Sequence, residues 1–82
     1  MYKIVLVEDE KDLNSLIKAY LEKAGYEVIS YLNGRDAIIN SEVAHLWILD
    51  IMLADDVNGY DIIKAIRAKD ENIPVIFTSA RD

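Results

Sequence analysis

The hydrophobic residues of this chain fall into two kinds of segment, short apolar runs and stretches with helical spacing. The apolar runs predict strands at residues 2–7, 26–31, 46–50 and 75–78. The stretches between them carry apolar residues every three or four positions, which predicts three helices. The first helix ends near Gly25, the second covers about 35–41 and the third about 60–69. The predicted inner face of the first helix consists of Leu13, Leu16, Ile17, Tyr20, Leu21 and Ala24.

This alternation of strands and helices predicts the element order β-α-β-α-β-α-β. Parallel strands joined through helices form right-handed crossovers, so we expect an α/β fold with a doubly wound parallel sheet. The unbroken apolar character of residues 4–7 and 46–49 indicates strands buried on both faces. The polar residues within 26–31 indicate a strand at the edge of the sheet.

Composition narrows the possible functions. The 82 residues are enough for one small domain. The chain has no cysteine, which excludes disulfides and thiolate metal sites, and its net charge of −6 argues against binding of this segment to nucleic acid or anionic membrane. No apolar run approaches the ~20 residues of a membrane span, and no secretory signal is evident, so we expect a cytoplasmic protein.

Acidic residues follow two of the predicted buried strands. Asp50 ends the apolar run 46–49, while Glu8 and Asp9 follow the run 4–7. If these strands are parallel neighbours, the three carboxylates meet at one edge of the sheet, where a divalent cation would relieve their repulsion. The pattern therefore predicts a Mg²⁺ site with Asp50 as its reactive member. Two alternatives stay open: a solvated helix entry at 8–10, and a loop or helix-capping role for Asp50.

Four segments together resemble a known family. They are Val7-Glu8-Asp9-Glu10, the run 49–53 (Leu-Asp-Ile-Met-Leu), Asn58-Gly59-Tyr60, and the run 73–81 beginning Ile-Pro-Val. In this order and spacing they resemble the receiver domain of bacterial two-component response regulators, and residues 45–53 are similar to the winged-helix transcription-factor subfamily. The resemblance implies a flavodoxin-like receiver fold with strand order 2-1-3-4. It also implies a sensor histidine kinase as partner.

The resemblance implies a role for each matching residue. Asp50 would be the phosphoacceptor, Asp9 a direct Mg²⁺ ligand, and Glu8 a ligand that acts mostly through bound water. The backbone carbonyl of Met52 would supply a further metal ligand. Ser79 would be the switch hydroxyl that turns toward the phosphoryl group. The neighbouring Thr78 is the alternative candidate for that role.

The chain also departs from the family pattern. Ala54 stands where the family commonly has a proline, and Gly59 opens the third helix one residue later than usual. A complete receiver is roughly half as long again, so the resemblance implies that residues 1–82 are the N-terminal part of the domain, without the fifth strand and its lysine, the last helices and the effector domain. Strand 75–78 would then form an open edge, which predicts a homo-oligomer that pairs through this strand.

Two other functions compete with a phosphorylation-dependent receiver. The first is a non-switching, receiver-like interaction module, which the missing lysine favours. The second is a hydrolase with an aspartyl-phosphate intermediate. Such enzymes place a second acid two residues after the nucleophile, where this chain has Met52. No glycine-rich phosphate loop follows the first strand, so nucleotide binding is not expected. We therefore expect a phosphoacceptor regulatory domain and not an enzyme.

Overall fold

The computed structural model describes residues 1–40, 43–50 and 57–78. In this part of the chain, helices and strands alternate as the sequence predicted. The elements are β1 (Lys3–Val7), α1 (Lys11–Lys23), β2 (Glu27–Tyr31), α2 (Gly34–Ile39), β3 (Leu46–Leu49), α3 (Gly59–Lys69) and β4 (Val75–Phe77). None of these helices has the length and apolar composition that crossing a bilayer requires.

The described strands form one parallel sheet in the order β2-β1-β3-β4. This confirms the predicted order 2-1-3-4 and the edge position of β2. Val7 of β1 is aligned with Tyr31 of β2 on one side and with Leu49 of β3 on the other. The carboxyl ends of three strands therefore lie side by side. The predicted association of two chains through the β4 edge stays a prediction.

Polar side chains fix where two of the helices begin. Asn33 precedes α2, and its side-chain oxygen accepts a 2.7 Å hydrogen bond from the backbone N–H of Asp36. Asn58 does the same for α3, while the Asp61 carboxylate accepts from the Asn58 N–H in return. Such a capping box satisfies backbone groups that a helix end leaves without partners. Asn33 and Gly34 together therefore form the start of α2.

Hydrophobic residues cover both faces of the sheet, with more of the core under α2 and α3. That side contains Val5, Val7, Ala37, Ala44, Trp47, Leu49, Ile62, Ile66 and Ile73. The side under α1 contains Ile4, Leu6 and Val28, with Ile17 and Leu21 packed against them. All apolar residues of β1 from Ile4 to Val7 are at most 2% exposed, which confirms burial on both faces.

The predicted inner face of α1 was too wide. Leu16 is 67% exposed and Tyr20 is 75% exposed, so neither contributes to the core of the described residues. The residues of α1 that face the sheet are Asn14, Ile17 and Leu21, at spacings of three and four. The periodicity identified a helix correctly. It could not show which side of a wide apolar stripe meets the sheet.

Gly34 is required because α2 begins in contact with the segment that precedes α3. A Cβ placed on Gly34 would lie 2.6 Å from the carbonyl oxygen of Val57 and 3.1 Å from Cδ1 of Ile62. In a helix without tertiary contacts, replacing glycine by alanine stabilises the helix by up to about 1 kcal/mol. At position 34 the close contact with the backbone should make the same replacement destabilising, because overpacking of this kind costs about 1–3 kcal/mol.

We therefore expect Gly34→Ala to lower the free energy of unfolding by about 1–3 kcal/mol, measured by urea denaturation. Ser15→Ala, at an exposed position of α1, is the control for helix propensity alone and should leave stability equal or slightly higher. A Gly34→Ala protein as stable as the unmodified chain would show that the contact with Val57 relaxes without cost.

Candidate functional site

Backbone hydrogen bonds hold the ends of β1, β2 and β3 at one edge of the sheet. The N–H of Asp50 donates to the carbonyl of Val7 over 3.2 Å, and the N–H of Glu8 donates to the carbonyl of Tyr31 over 3.1 Å. These bonds continue the strand ladders by one residue beyond Val7. The backbone atoms that carry the side chains of Glu8 and Asp50 are thus held next to each other.

The side chains of Glu8, Asp9 and Asp50 converge at this edge. One carboxylate oxygen from each lies within 4.8 Å of the others. Glu8 is 4% exposed and Asp50 is 6% exposed, while Asp9 is half-buried. The predicted meeting of the three acids is therefore confirmed. Burial of Glu8 also excludes the fully solvated helix entry, although Glu10 is exposed.

The environment of the cluster opposes the accumulation of negative charge. Burial raises the pKa of Glu8 above its ordinary value, and the charges of Asp50 and Asp9 raise that pKa further. A 3.0 Å hydrogen bond from the Glu10 N–H to Oε2 of Glu8 acts in the opposite direction. A hard cation among these oxygens would neutralise the repulsion, and carboxylate oxygens are the ligands that Mg²⁺ prefers. The donor set thus fits Mg²⁺.

Asn14 is a buried polar residue of this region that the sequence analysis missed. It lies on α1 with 4% of its surface exposed, and its amide donates to the backbone carbonyls of Glu8 and Tyr31, each over 3.0 Å. The available signal was its spacing, because Asn14 stands three positions before Ile17 and seven before Leu21. A polar residue in line with an inner stripe is typical of a side chain with a specific partner.

The described residues include only one of the two hydroxyl candidates. The hydroxyl of Thr78 donates to the Leu49 carbonyl over 3.3 Å, and the Thr78 N–H donates to the same oxygen over 2.7 Å. Thr78 is thereby hydrogen-bonded to Leu49, the residue of β3 that directly precedes Asp50. Ser79 and Met52 lie outside the described residues, and their roles stay predictions.

Comparison with known proteins identifies the family. The sequence pattern of the response regulator receiver domain matches residues 4–82, almost the whole chain. The chain belongs to the response regulator receiver domain family. It is a regulatory domain rather than an enzyme, as the sequence predicted.

Individual relatives agree with this assignment. The chain is 54% identical to the transcriptional regulatory protein CssR of Bacillus subtilis over 82 residues, which is 99% of this chain and 36% of CssR. It therefore spans about a third of the length of this curated relative. The response regulator SaeR of Staphylococcus aureus is 35% identical over the same share of each chain. The predicted relationship to transcriptional regulators is thus confirmed.

A solved structure supports the fold and bears on the site. The response regulator TrrA of Thermotoga maritima, determined in complex with Mg²⁺ and BeF, superimposes with a TM-score of 0.85 at 32% identity. The match covers 94% of this chain and 68% of TrrA. A receiver relative with this backbone therefore binds Mg²⁺.

Proposed function

We propose that Asp50 accepts a phosphoryl group from a sensor histidine kinase, with Mg²⁺ held by the acidic cluster, and that this controls a transcriptional regulator of which the receiver is one part. The observation that carries the proposal is the convergence of Glu8, Asp9 and Asp50 within 4.8 Å at the carboxyl ends of β1 and β3. Doubly wound sheets bind ligands at such an edge. Relationship to CssR supports the role in transcription.

The chemistry requires little from the protein beyond position and charge. A carboxylate oxygen of Asp50 attacks the phosphorus of phosphohistidine, so that an O–P bond forms while the N–P bond breaks and the nitrogen lone pair returns to the imidazole. The transition state is loose, and catalysis consists mostly of positioning and charge neutralisation. The backbone bond from Asp50 N–H to Val7 fixes the origin of the attacking side chain.

The metal ligands in this proposal are Asp9, Asp50, the backbone carbonyl of Met52 and, mostly through water, Glu8. When bound, Mg²⁺ supplies charge neutralisation between the anionic nucleophile and the anionic phosphoryl group. Ser79 is proposed as the hydroxyl that turns toward the phosphoryl group. The bond between the Thr78 hydroxyl and the Leu49 carbonyl supports Ser79 over its neighbour, since that bond engages the rival hydroxyl.

Incubation of the purified protein with acetyl phosphate and Mg²⁺ tests the proposed function. We expect the intact mass to rise by one phosphoryl group, and the product to be cleaved by hydroxylamine as an acyl phosphate is. EDTA should prevent the increase. Failure of both acetyl phosphate and a phosphorylated histidine kinase to modify the protein would contradict the proposal.

Magnesium should also stabilise the folded protein, because a ligand of the native state adds RT ln(1 + [L]/Kd) to the free energy of unfolding. At a concentration 100 times Kd this is about 2.7 kcal/mol. We expect the melting temperature to rise with Mg²⁺ in the unmodified chain and to rise much less in Asp9→Asn. Asp12→Asn removes an exposed carboxylate of α1 and is the matched control. Equal changes in melting temperature in the two variants would show that Mg²⁺ does not bind at Asp9.

A further inference from the structure

Asn14 joins the ends of two strands beside the acidic cluster. Its Nδ2 donates to the carbonyl of Glu8 and to the carbonyl of Tyr31, each over 3.0 Å. The Tyr31 carbonyl also accepts the N–H of Glu8 over 3.1 Å. Val7 and Tyr31 are the last aligned residues of β1 and β2, so the Glu8 carbonyl lies beyond the paired region. Asn14 supplies the donor that a further strand residue would otherwise provide.

A neutral amide suits the chemistry of this contact. Both partners are backbone carbonyls, which only accept hydrogen bonds, and the NH₂ group of asparagine offers two hydrogens from one atom. An aspartate would present acceptors to acceptors, and an aliphatic side chain would leave both carbonyls without this donor. Asn14 is 4% exposed, so water has little room to replace it.

The contact fixes the backbone from which the metal-binding side chains start. The N–H of Glu8 donates to the Tyr31 carbonyl and the carbonyl of Glu8 accepts from Asn14, so both hydrogen-bonding groups of the Glu8 backbone are held in place. Asp9 follows directly. The Glu10 N–H then holds Oε2 of Glu8 over 3.0 Å, which sets the direction of that carboxylate.

We propose that Asn14 is a positioning residue, which presents Glu8 and Asp9 to a divalent cation by fixing the turn between β1 and α1. This inference rests on the proposed function, since it assumes that the cluster binds Mg²⁺. In this proposal Asn14 is not a metal ligand, because its side-chain nitrogen is engaged by the carbonyls of Glu8 and Tyr31. Its effect is on the geometry of the ligands, in the way that outer partners of metal ligands act in other sites.

Calorimetric titration with MgCl₂, at a temperature well below unfolding, tests the proposal. Asn14→Leu keeps a branched side chain of similar size and removes both donors, and we expect it to weaken Mg²⁺ binding about tenfold. Val28→Ala, in the core under α1 and away from the carbonyls, is the control for lost stability and should bind Mg²⁺ like the unmodified chain. Asn14→Gln keeps the NH₂ group on a longer side chain and should lose less Mg²⁺ affinity than Asn14→Leu. It replaces Asn14→Leu in the test if Asn14→Leu does not fold.

Hydrogen exchange without Mg²⁺ gives a second readout. The amides of Glu8 and Glu10 should exchange faster in the Asn14 variants than in Val28→Ala at matched stability. Asn14 variants that bind Mg²⁺ as tightly as Val28→Ala would overturn the inference while leaving the proposed function intact. An unmodified chain that binds no Mg²⁺ would contradict the metal part of the proposed function, and this inference with it.

Discussion

Asp50→Asn is expected to abolish phosphoryl transfer to this protein and, at the same time, to stabilise the metal-free fold. Asparagine has nearly the same shape as aspartate but no anionic oxygen to attack phosphorus. The stability gain follows from the cluster, in which carboxylate oxygens of three acids lie within 4.8 Å of one another. Two unit charges at that separation repel by about 1 kcal/mol in water and by more in a partly buried site.

The expected gain in the free energy of unfolding is about 1 kcal/mol, the size of the repulsion between two unit charges at this separation in water. Urea denaturation in EDTA measures it, and intact mass after acetyl phosphate treatment measures the loss of modification. Added Mg²⁺ should stabilise the unmodified protein more than the variant. The difference in the free energy of unfolding between Asp50→Asn and the unmodified protein should therefore become smaller, or change sign, as Mg²⁺ is added.

Asp12→Asn serves as control for both measurements, since it removes one carboxylate from an exposed position in the first turn of α1. It should be phosphorylated normally and show no stability gain in EDTA. Phosphorylation of Asp50→Asn at the level of the unmodified chain would assign the acceptor to another residue. A loss of stability in EDTA would show that Asp50 has favourable partners that outweigh the repulsion.

The strands could be predicted from local features of the sequence, whereas their order was implied by the family resemblance, and the acidic cluster was predicted on the condition that two of the strands are neighbours. Apolar runs mark the strands, and acids placed directly after 4–7 and 46–49 must meet if those strands are parallel neighbours. The structure aligns Val7 with Leu49, which makes this condition true. Position along the chain, strand direction and the adjacency of β1 and β3 were sufficient, and no side-chain contact had to be known.

Other features depend on contacts between distant segments and could not be predicted in this way. The requirement for glycine at position 34 comes from Val57, which is remote in sequence but touches the start of α2. The role of Asn14 depends on two carbonyls from β1 and β2 that meet only in the folded sheet. The exposure of Leu16 and Tyr20 depends on how α1 is rotated over β1 and β2, which periodicity does not fix.

Ile62→Ala is expected to cause the largest loss of stability among these variants. Ile62 lies on α3, is fully buried, and belongs to the larger core together with Val5 and Leu49. Removal of its side chain beyond Cβ loses transfer free energy and leaves a cavity, which together cost about 2–5 kcal/mol. Domains are stable by about 0.05–0.15 kcal/mol per residue, so a chain of 82 residues has about 4–12 kcal/mol in total.

The substitution therefore removes a large share of the free energy that keeps the acidic cluster assembled. At about 4–8 °C for each kcal/mol in a domain of this size, the melting temperature should fall by at least about 8 °C. Ile39→Ala is the same chemical change at the end of α2, where the side chain is 71% exposed, and it should stay within about 0.5 kcal/mol of the unmodified chain. Similar losses of stability in the two variants would mean that α3 does not pack on the sheet as described. The packing of Leu49, the residue of β3 that precedes Asp50, would then not depend on Ile62.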